Sequence, residues 1–286
     1  MSFANIIKSE MLSARTKKKC CRYAESYAYL LFANLKTRSN VKINYKDEAS
    51  AMYFRSLFNK AFNIQSEIYT DNEKFILNFD LVPEDILKSL LNCMIDRNIF
   101  KCENCINAFV RGTFLSCGKV SDPKKEYHAE FVFKNERLAF DFLKIIKDYF
   151  PLSRLTERNR KFVVYIKDAE SIENLLAIIG APNGSMEIMQ TAIFKDIRNH
   201  ENRLNNFATA NLKKTTDSGY KYLKAIETIE KKDSLVNLSD ELQAIAKAKK
   251  DNIEMSLNEL SELLKISRSA VYRGLNKIVK YAKNLK

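Results

Sequence analysis

Residues 104–133 read NCINAFVRGTFLSCGKVSDPKKEYHAEFVF, and the reading of this stretch decides the fold. It opens with a helical pattern in which the small residues Ala108, Gly112 and Ser116 recur every four positions. Such a stripe lets a second backbone come close, because little side chain stands in the way. The stretch ends on His128-Ala-Glu-Phe-Val-Phe133, whose alternation of apolar and polar residues marks a half-buried strand. A helix packed only on its own sheet would also explain the first half. A second copy of the pattern favours two helices packed on each other.

That copy lies about 84 residues earlier, in CCRYAESYAYLLFANLKTRSNVKINY (residues 20–45). Pairing Cys21 with Cys105 also pairs Ala24 with Ala108, Ala28 with Gly112 and Asn34 with Gly118. The later elements of the two copies match in order. An alternating run (41–45 or 128–133) precedes a helical pattern, DEASAMYFRSLFNKAF (47–62) or NERLAFDFLKIIKDYF (135–150). Two further strands come next in each copy, IQSEIYT and KFILNFD, then SRLTER and KFVVYIK. A short helix closes each, PEDILKSLL (83–91) and AESIENLLAII (169–179). The order α-β-β-α-β-β-α, written twice, predicts an α+β domain with the opening helices paired about a pseudo-twofold axis. Each sheet is expected to cover one face with helices and leave the other free. The repeats are assigned to residues 1–98 and 99–190.

The remainder reads as helix. Pro182-Asn183-Gly184 is a turn signal, and a polar stretch runs from about Glu187 to Lys213. Its asparagines (Asn199, Asn202, Asn205, Asn206, Asn211) are unusual, since Asn competes for backbone hydrogen bonds. They suit contacts to phosphates or to the neighbouring domain better than a plain solvated linker. Residues 191–217 are taken as this linker and 218–286 as an all-α domain. Within it Leu223, Ile226 and Ile229 share a face, and Ser239 is an N-cap candidate for the helix 239–250. Ser256-Leu-Asn-Glu259 has the capping-box pattern, with Leu257, Leu260, Leu263 and Leu264 as the inward face of its helix. After the turn Lys265-Ile266-Ser267, with small Ser261 expected at the helix crossing, a second helix starts. It would bury Ala270, Val271, Leu275, Ile278 and Val279. A short helix, a tight turn and a basic second helix make a helix-turn-helix over about 256–280. Its candidate DNA-binding residues are Ser267, Arg268, Ser269, Tyr272, Arg273, Asn276, Lys277, Lys280 and Lys283. Arg pairs with guanine, Asn with adenine, and Lys with phosphate. A solvated helix with a basic face is the plainer reading.

Charge separates these readings. The chain of 286 residues holds 48 Lys and Arg against 35 Asp and Glu, a net charge of +13 that points to a polyanionic partner. Between Ile266 and Lys286 stand six basic residues and no acidic one. Residues 191–286 carry 19 basic and 12 acidic side chains, against 29 and 23 in the twice longer remainder. Hydrophobic residues make up 46%, enough for a packed core. There is no long apolar start and no run of eighteen apolar residues, so neither a signal peptide nor a membrane span is expected. Six cysteines in a loop-poor chain fit reduced thiols in a cytosol. The scarcity of Gly and Pro beside abundant Lys, Asn and Ile matches the products of AT-rich bacterial genomes.

The segment AFVRGTFLSCGKVSD (108–122) resembles the helix signature of LAGLIDADG homing endonucleases. In that family a carboxylate just before the last glycine of each motif holds a divalent metal. The matching positions here are Cys117, before Gly118, and Ala33, before Asn34. Neither supplies the hard oxygen that Mg²⁺ needs. No catalytic residue is therefore assigned, and Ala33 and Cys117 are taken as degenerate acid positions. Over nearly its whole length the chain is similar to the WhiA family, which joins a degenerate LAGLIDADG-like domain to a C-terminal helix-turn-helix. The resemblance rests on CCRYAE (20–25), AFVRGTFLSCGKVSDPKKEYHAEF (108–131), RKFVVYIKDAESI (160–172), IRNHENRLNNFATANLKKT (197–215) and SRSAVYRGLNKI (267–278). It implies a DNA-binding transcriptional regulator of Gram-positive bacteria, linked to sporulation in some members and to cell division and chromosome segregation in others. Asn34 departs from the family's glycine.

The implied partner is double-stranded DNA, with RNA polymerase or a sigma factor as a further one. A cytoplasmic, nucleoid-associated monomer is expected. Two other readings stay open: an active LAGLIDADG nuclease using displaced carboxylates such as Glu25 or Asp122, and an adaptor that contacts RNA polymerase or a sigma factor. No cofactor or metal is expected. Cys102-Glu-Asn-Cys105 is a lone CxxC, and adjacent Cys20-Cys21 is not a second hook of that spacing, so packing is taken to explain both. His128 and His200 have no motif around them, and six glycines provide no phosphate loop.

Overall fold

The computed structural model describes residues 2–33, 35 and 39–285. The chain divides into two compact units, Met1–Lys195 and Asp196–Lys286.

The first unit begins with α1 (Phe3–Ser13), an element outside the repeat pattern and not expected from it. Ser2 caps it, and Phe3, Ile7 and Met11, four residues apart, are its buried face. The first repeat then runs α2 (Lys19–Phe32), β1 (Ser39–Tyr45), α3 (Glu48–Phe62), β2 (Glu67–Asp71), β3 (Lys74–Leu81) and α4 (Glu84–Asn92). The second runs α5 (Asn104–Cys117), β4 (Gly118–Val120), β5 (Ala129–Phe133), α6 (Glu136–Ile146), β6 (Arg154–Arg158), β7 (Lys161–Ile166) and α7 (Ala169–Ile178). Both sheets are antiparallel, in the orders β1-β3-β2 and β4-β5-β7-β6. The second repeat carries the full α-β-β-α-β-β-α pattern. In the first, the described residues give three strands. The place matching β4 is 34–36, of which Asn34 and Lys36 lie outside the described residues.

Residue alternation sets which sheet face is covered. Val41, Ile43 and Tyr45 pair with Phe79, Leu77 and Phe75 on the core side, leaving Lys42 and Asn44 outward. In the second sheet Ala129, Phe131 and Phe133 pair with Ile166, Val164 and Phe162, and all three are buried. The helices α2 and α5 pack directly on each other, as the repeat predicts. Gly112 shows why small residues are needed there: a Cβ at this position would lie 2.1 Å from the Glu25 carbonyl oxygen and 3.1 Å from Ala28 Cβ.

Pro182-Asn183-Gly184 does not form a turn; it opens α8 (Pro182–Lys232). Proline is well suited to a first helical position, where its missing N–H has no partner to lose. The amides of Asn183 and Gly184 donate to the Glu10 carboxylate at 2.8 and 3.2 Å. The first unit ends within this helix. The second unit contains the rest of it with α9 (Asp240–Asp251), α10 (Leu257–Leu264) and α11 (Arg268–Asn284). Its separate core is built on Ile226, Ile229, Ile245, Leu260, Val271, Leu275 and Ile278. Leu263, expected inward, is 53% exposed. Its neighbours Leu260 and Leu264 fill the core side of this two-turn helix instead. No helix among the described residues is long and apolar enough to cross a membrane.

Candidate nucleic-acid interface

Local hydrogen bonds fix the helix-turn-helix. Ser256 Oγ accepts from the Glu259 amide at 3.3 Å, and the Glu259 carboxylate accepts from the Ser256 amide at 2.6 Å. That bond holds the Glu259 carboxyl below its usual range. Ser239 stands at the N-cap of α9 without such a side-chain bond. Lys265 ends α10 in the left-handed region, with φ 54°. Ser267 then caps α11 by accepting from the Ala270 amide at 3.2 Å. Ser261 donates to the Asn258 carbonyl within its own helix.

At about 100° per residue, the buried residues of α11 (Val271, Gly274, Leu275, Ile278, Ala282) fall on one half of its circumference. Arg268, Ser269, Tyr272, Arg273, Asn276, Lys277, Lys280 and Lys283 fall on the other half. All are exposed except Asn276, which is half-buried, and Ser267 before them is exposed too. Arg273 Nε donates to the Ser269 carbonyl at 3.3 Å, which steadies its stem. Arg268 borders a cleft of about 210 Å³ shared with Lys214, Ser218, Tyr222, Lys249 and Asn258. Sequence reasoning passes over Lys214 and Lys249, which look like ordinary helix-surface lysines. Lys249 is in fact buried. Its ammonium donates to the Ile253 and Met255 carbonyls at 2.7 Å each, clamping the segment between α9 and α10. Burial lowers its pKa. On α8, Asn199, Asn202, Asn205, Asn206 and Asn211 are all exposed.

In the first unit the two residues expected to stand at degenerate acid positions border the same cavity. Ala33 and Cys117 line one cavity of about 500 Å³ together with Gly118, Lys8, Lys119, Lys134 and Lys161. No Asp or Glu is among the described residues lining it. Desolvation pushes the Cys117 thiol up to about 12, so it is neutral at physiological pH. Burial lowers the pKa of Lys8. A neutral thiol beside lysines is a poor seat for a hard divalent cation.

Neither displaced carboxylate reaches that cavity's lining. Glu25 is fully buried and accepts from Arg111 Nε at 2.9 Å and from the Tyr53 hydroxyl at 2.6 Å. Arg111 also donates to the carbonyls of Ile179 (2.8 Å), Ala14 (2.6 Å) and Met11, tying α5 to α7 and to the end of α1. Burial works against the Arg111 charge, but Glu25 and Tyr53 beside it more than offset this and raise its pKa. Gly180 (φ +86°) makes room for the guanidinium, since a Cβ there would lie 2.3 Å from Nη1. Asp122 is spent on a turn, accepting from the Lys124 amide at 2.9 Å. His128 contacts Glu130 at 3.3 Å, and His200 is exposed on α8.

The cysteines depart from the expectation drawn from spacing. Cys20 and Cys21 lie in the first turn of α2, and Cys102 and Cys105 flank the start of α5. Pairing the two helices brings all four sulfurs within 4.8 Å of one another.

A LAGLIDADG-like α+β repeat domain followed by a helix-turn-helix domain defines the class of protein. Residues 106–198 match the family described as the WhiA LAGLIDADG-like domain, and residues 202–282 match the WhiA C-terminal HTH domain. A Caldicellulosiruptor saccharolyticus protein named "Probable cell division protein WhiA" is 30% identical over all of this chain and 96% of its own length. Its namesake in Clostridium botulinum is 31% identical over 100% and 99%. The crystal structure of full-length DUF199/WhiA from Thermotoga maritima shares the fold, with a TM-score of 0.60 and 24% identity over 99% of both chains. The chain belongs to the WhiA family.

Proposed function

We propose that this protein is a sequence-specific DNA-binding transcriptional regulator without nuclease activity. The observation that carries the reading is α11: one half of the helix is packed in the core, and the other presents Arg, Lys, Asn, Ser and Tyr with no carboxylate. Base reading is assigned to the N-terminal part, Arg268, Ser269, Tyr272, Arg273 and Asn276, and phosphate contact to Lys277, Lys280 and Lys283. The division into repeats 1–98 and 99–190, linker 191–217 and reading domain 218–286 belongs to the same proposal. The relatives' name supports cell division as the regulated process, with chromosome segregation or sporulation as finer forms of it. A cytoplasmic, nucleoid-associated location follows from that role.

Genomic immunoprecipitation of the wild type and of Arg273→Ala tests the reading. Discrete peaks lost in the variant are expected. Peaks that persist unchanged would mean that another protein, such as RNA polymerase or a sigma factor, delivers the chain to DNA. The absence of nuclease activity is tested with supercoiled plasmid and Mg²⁺, where no nicking is expected. Cys117→Ala should change DNA affinity less than tenfold, because Cys117 is given only a packing role. A larger loss without unfolding would contradict that assignment.

A further inference from the structure

The four converging cysteines have no part in DNA reading, and their arrangement is more specific than packing requires. Cys102 Sγ lies 3.6 Å from Cys20 Sγ, 3.6 Å from Cys21 Sγ and 3.6 Å from Cys105 Sγ. All six cysteines of the chain are free thiols. A tetrahedral zinc ion with Zn–S bonds of about 2.3 Å separates its sulfurs by about 3.8 Å. A single disulfide would draw two sulfurs to about 2.05 Å and leave the others aside, whereas here one sulfur stands equally far from three. A multi-iron cluster needs its sulfurs farther apart than a single ion does.

The surroundings suit a tetrathiolate. The N-caps of α2 (Lys18) and α5 (Glu103) make no side-chain cap hydrogen bond. The first-turn amides of both helices therefore lie by the thiol cluster without side-chain partners of that kind, and their dipoles favour negative charge there. Lys18, Lys19, Arg22 and Lys101 flank the cysteines in sequence, against the single acid Glu103, and this excess of positive charge offsets the net charge of a Zn(Cys)₄ centre. Cys21 and Cys105 are buried, while Cys20 and Cys102 are partly open, giving an ion a way in.

We propose that Cys20, Cys21, Cys102 and Cys105 form a structural Zn²⁺ site that pins the N-terminal ends of α2 and α5 together. On binding, each thiol gives up its proton and no open coordination position remains, so the site holds structure and performs no chemistry. It joins the two repeats at positions 81 and 82 residues apart in sequence.

The full chain, purified under reducing conditions without chelator, should contain one equivalent of zinc by elemental analysis. Cys102→Ser and Cys105→Ser should lose it, while Cys93→Ser and Cys117→Ser, outside the cluster, should keep it. Because a ligand variant can unfold, the wild type provides a second arm. Stripped of metal and titrated with Co²⁺, it should saturate at one equivalent with the intense visible bands of a tetrahedral site and strong sulfur-to-cobalt charge transfer. A metal-free protein with no such cobalt spectrum overturns the proposal, as does full zinc content in the ligand variants. A colour of iron in place of zinc in the purified protein overturns the choice of metal.

Discussion

The two units use charge in opposite ways. In the first, a buried ion pair is turned inward: Glu25 and Arg111 are buried together, and the guanidinium also donates to carbonyls of the same unit. The cavity bordered by Ala33 and a neutral Cys117 is lined by lysines as well. In the second unit the interior of the three-helix motif is largely aliphatic, and the cations of α11 stand outside with no partner acid on their own helix. The cavity at Ala33 and Cys117 has no carboxylate among its described lining residues, whereas the exposed face of α11 gathers basic and polar side chains.

The sharpest way to break this contrast is to divide the protein. A fragment of residues 218–286 should fold as a helical unit and keep operator binding. Residues 1–190 alone should bind DNA only non-specifically, about 1,000-fold or more weakly than the full chain binds its operator. Footprinting settles the matter; protection of the operator by residues 1–190 alone would place recognition in the wrong unit.

A smaller effect tests the inward charge. Arg111→Ala would strand a buried carboxylate and several carbonyls, costing about 3–5 kcal/mol of stability in urea denaturation. Arg111→Lys keeps the charge beside Glu25 and should recover part of that loss. DNA affinity, measured where both variants remain folded, should stay near the wild type. A cost below about 1 kcal/mol for Arg111→Ala would mean that the pair is not a keystone of the repeat domain.

Most of the frame is legible in the sequence because periodicity and repetition are local signals. The helices and three of the four strands of the second repeat, the pairing of Ala28 with Gly112 and the capping box of Ser256 and Glu259 can all be read from spacing, whereas the three-residue β4 is too short to show alternation. Spacing misleads where tertiary context decides. Pro182-Asn183-Gly184 has turn chemistry, but the Glu10 carboxylate from α1 accepts from its amides and lets it begin a helix. Leu263 fits the helical apolar spacing, yet α10 is too short to bury four leucines. Arg111 sits inside an apolar helix, where its role depends on partners up to 100 residues distant. The two cysteine pairs open the two repeat helices, so the helix pairing expected from the repeat already draws them near each other; adjacent Cys20-Cys21 lacks the usual hook spacing, and that is why packing is the preferred reading from sequence.

The most direct test of the central claim is a salt series with two duplexes, the operator and a random sequence, for the wild type, Arg268→Ala and Lys283→Ala. Arg268 begins α11, where a recognition helix meets base edges, whereas Lys283 lies in its last turn. Arg268→Ala should cost about 1–3 kcal/mol on the operator, little on random DNA, and flatten preference at one base position. Lys283→Ala should weaken both duplexes alike and reduce the salt slope by about one ion. If Arg268→Ala instead weakens both duplexes equally and changes only the salt slope, α11 is a basic surface and does not read sequence.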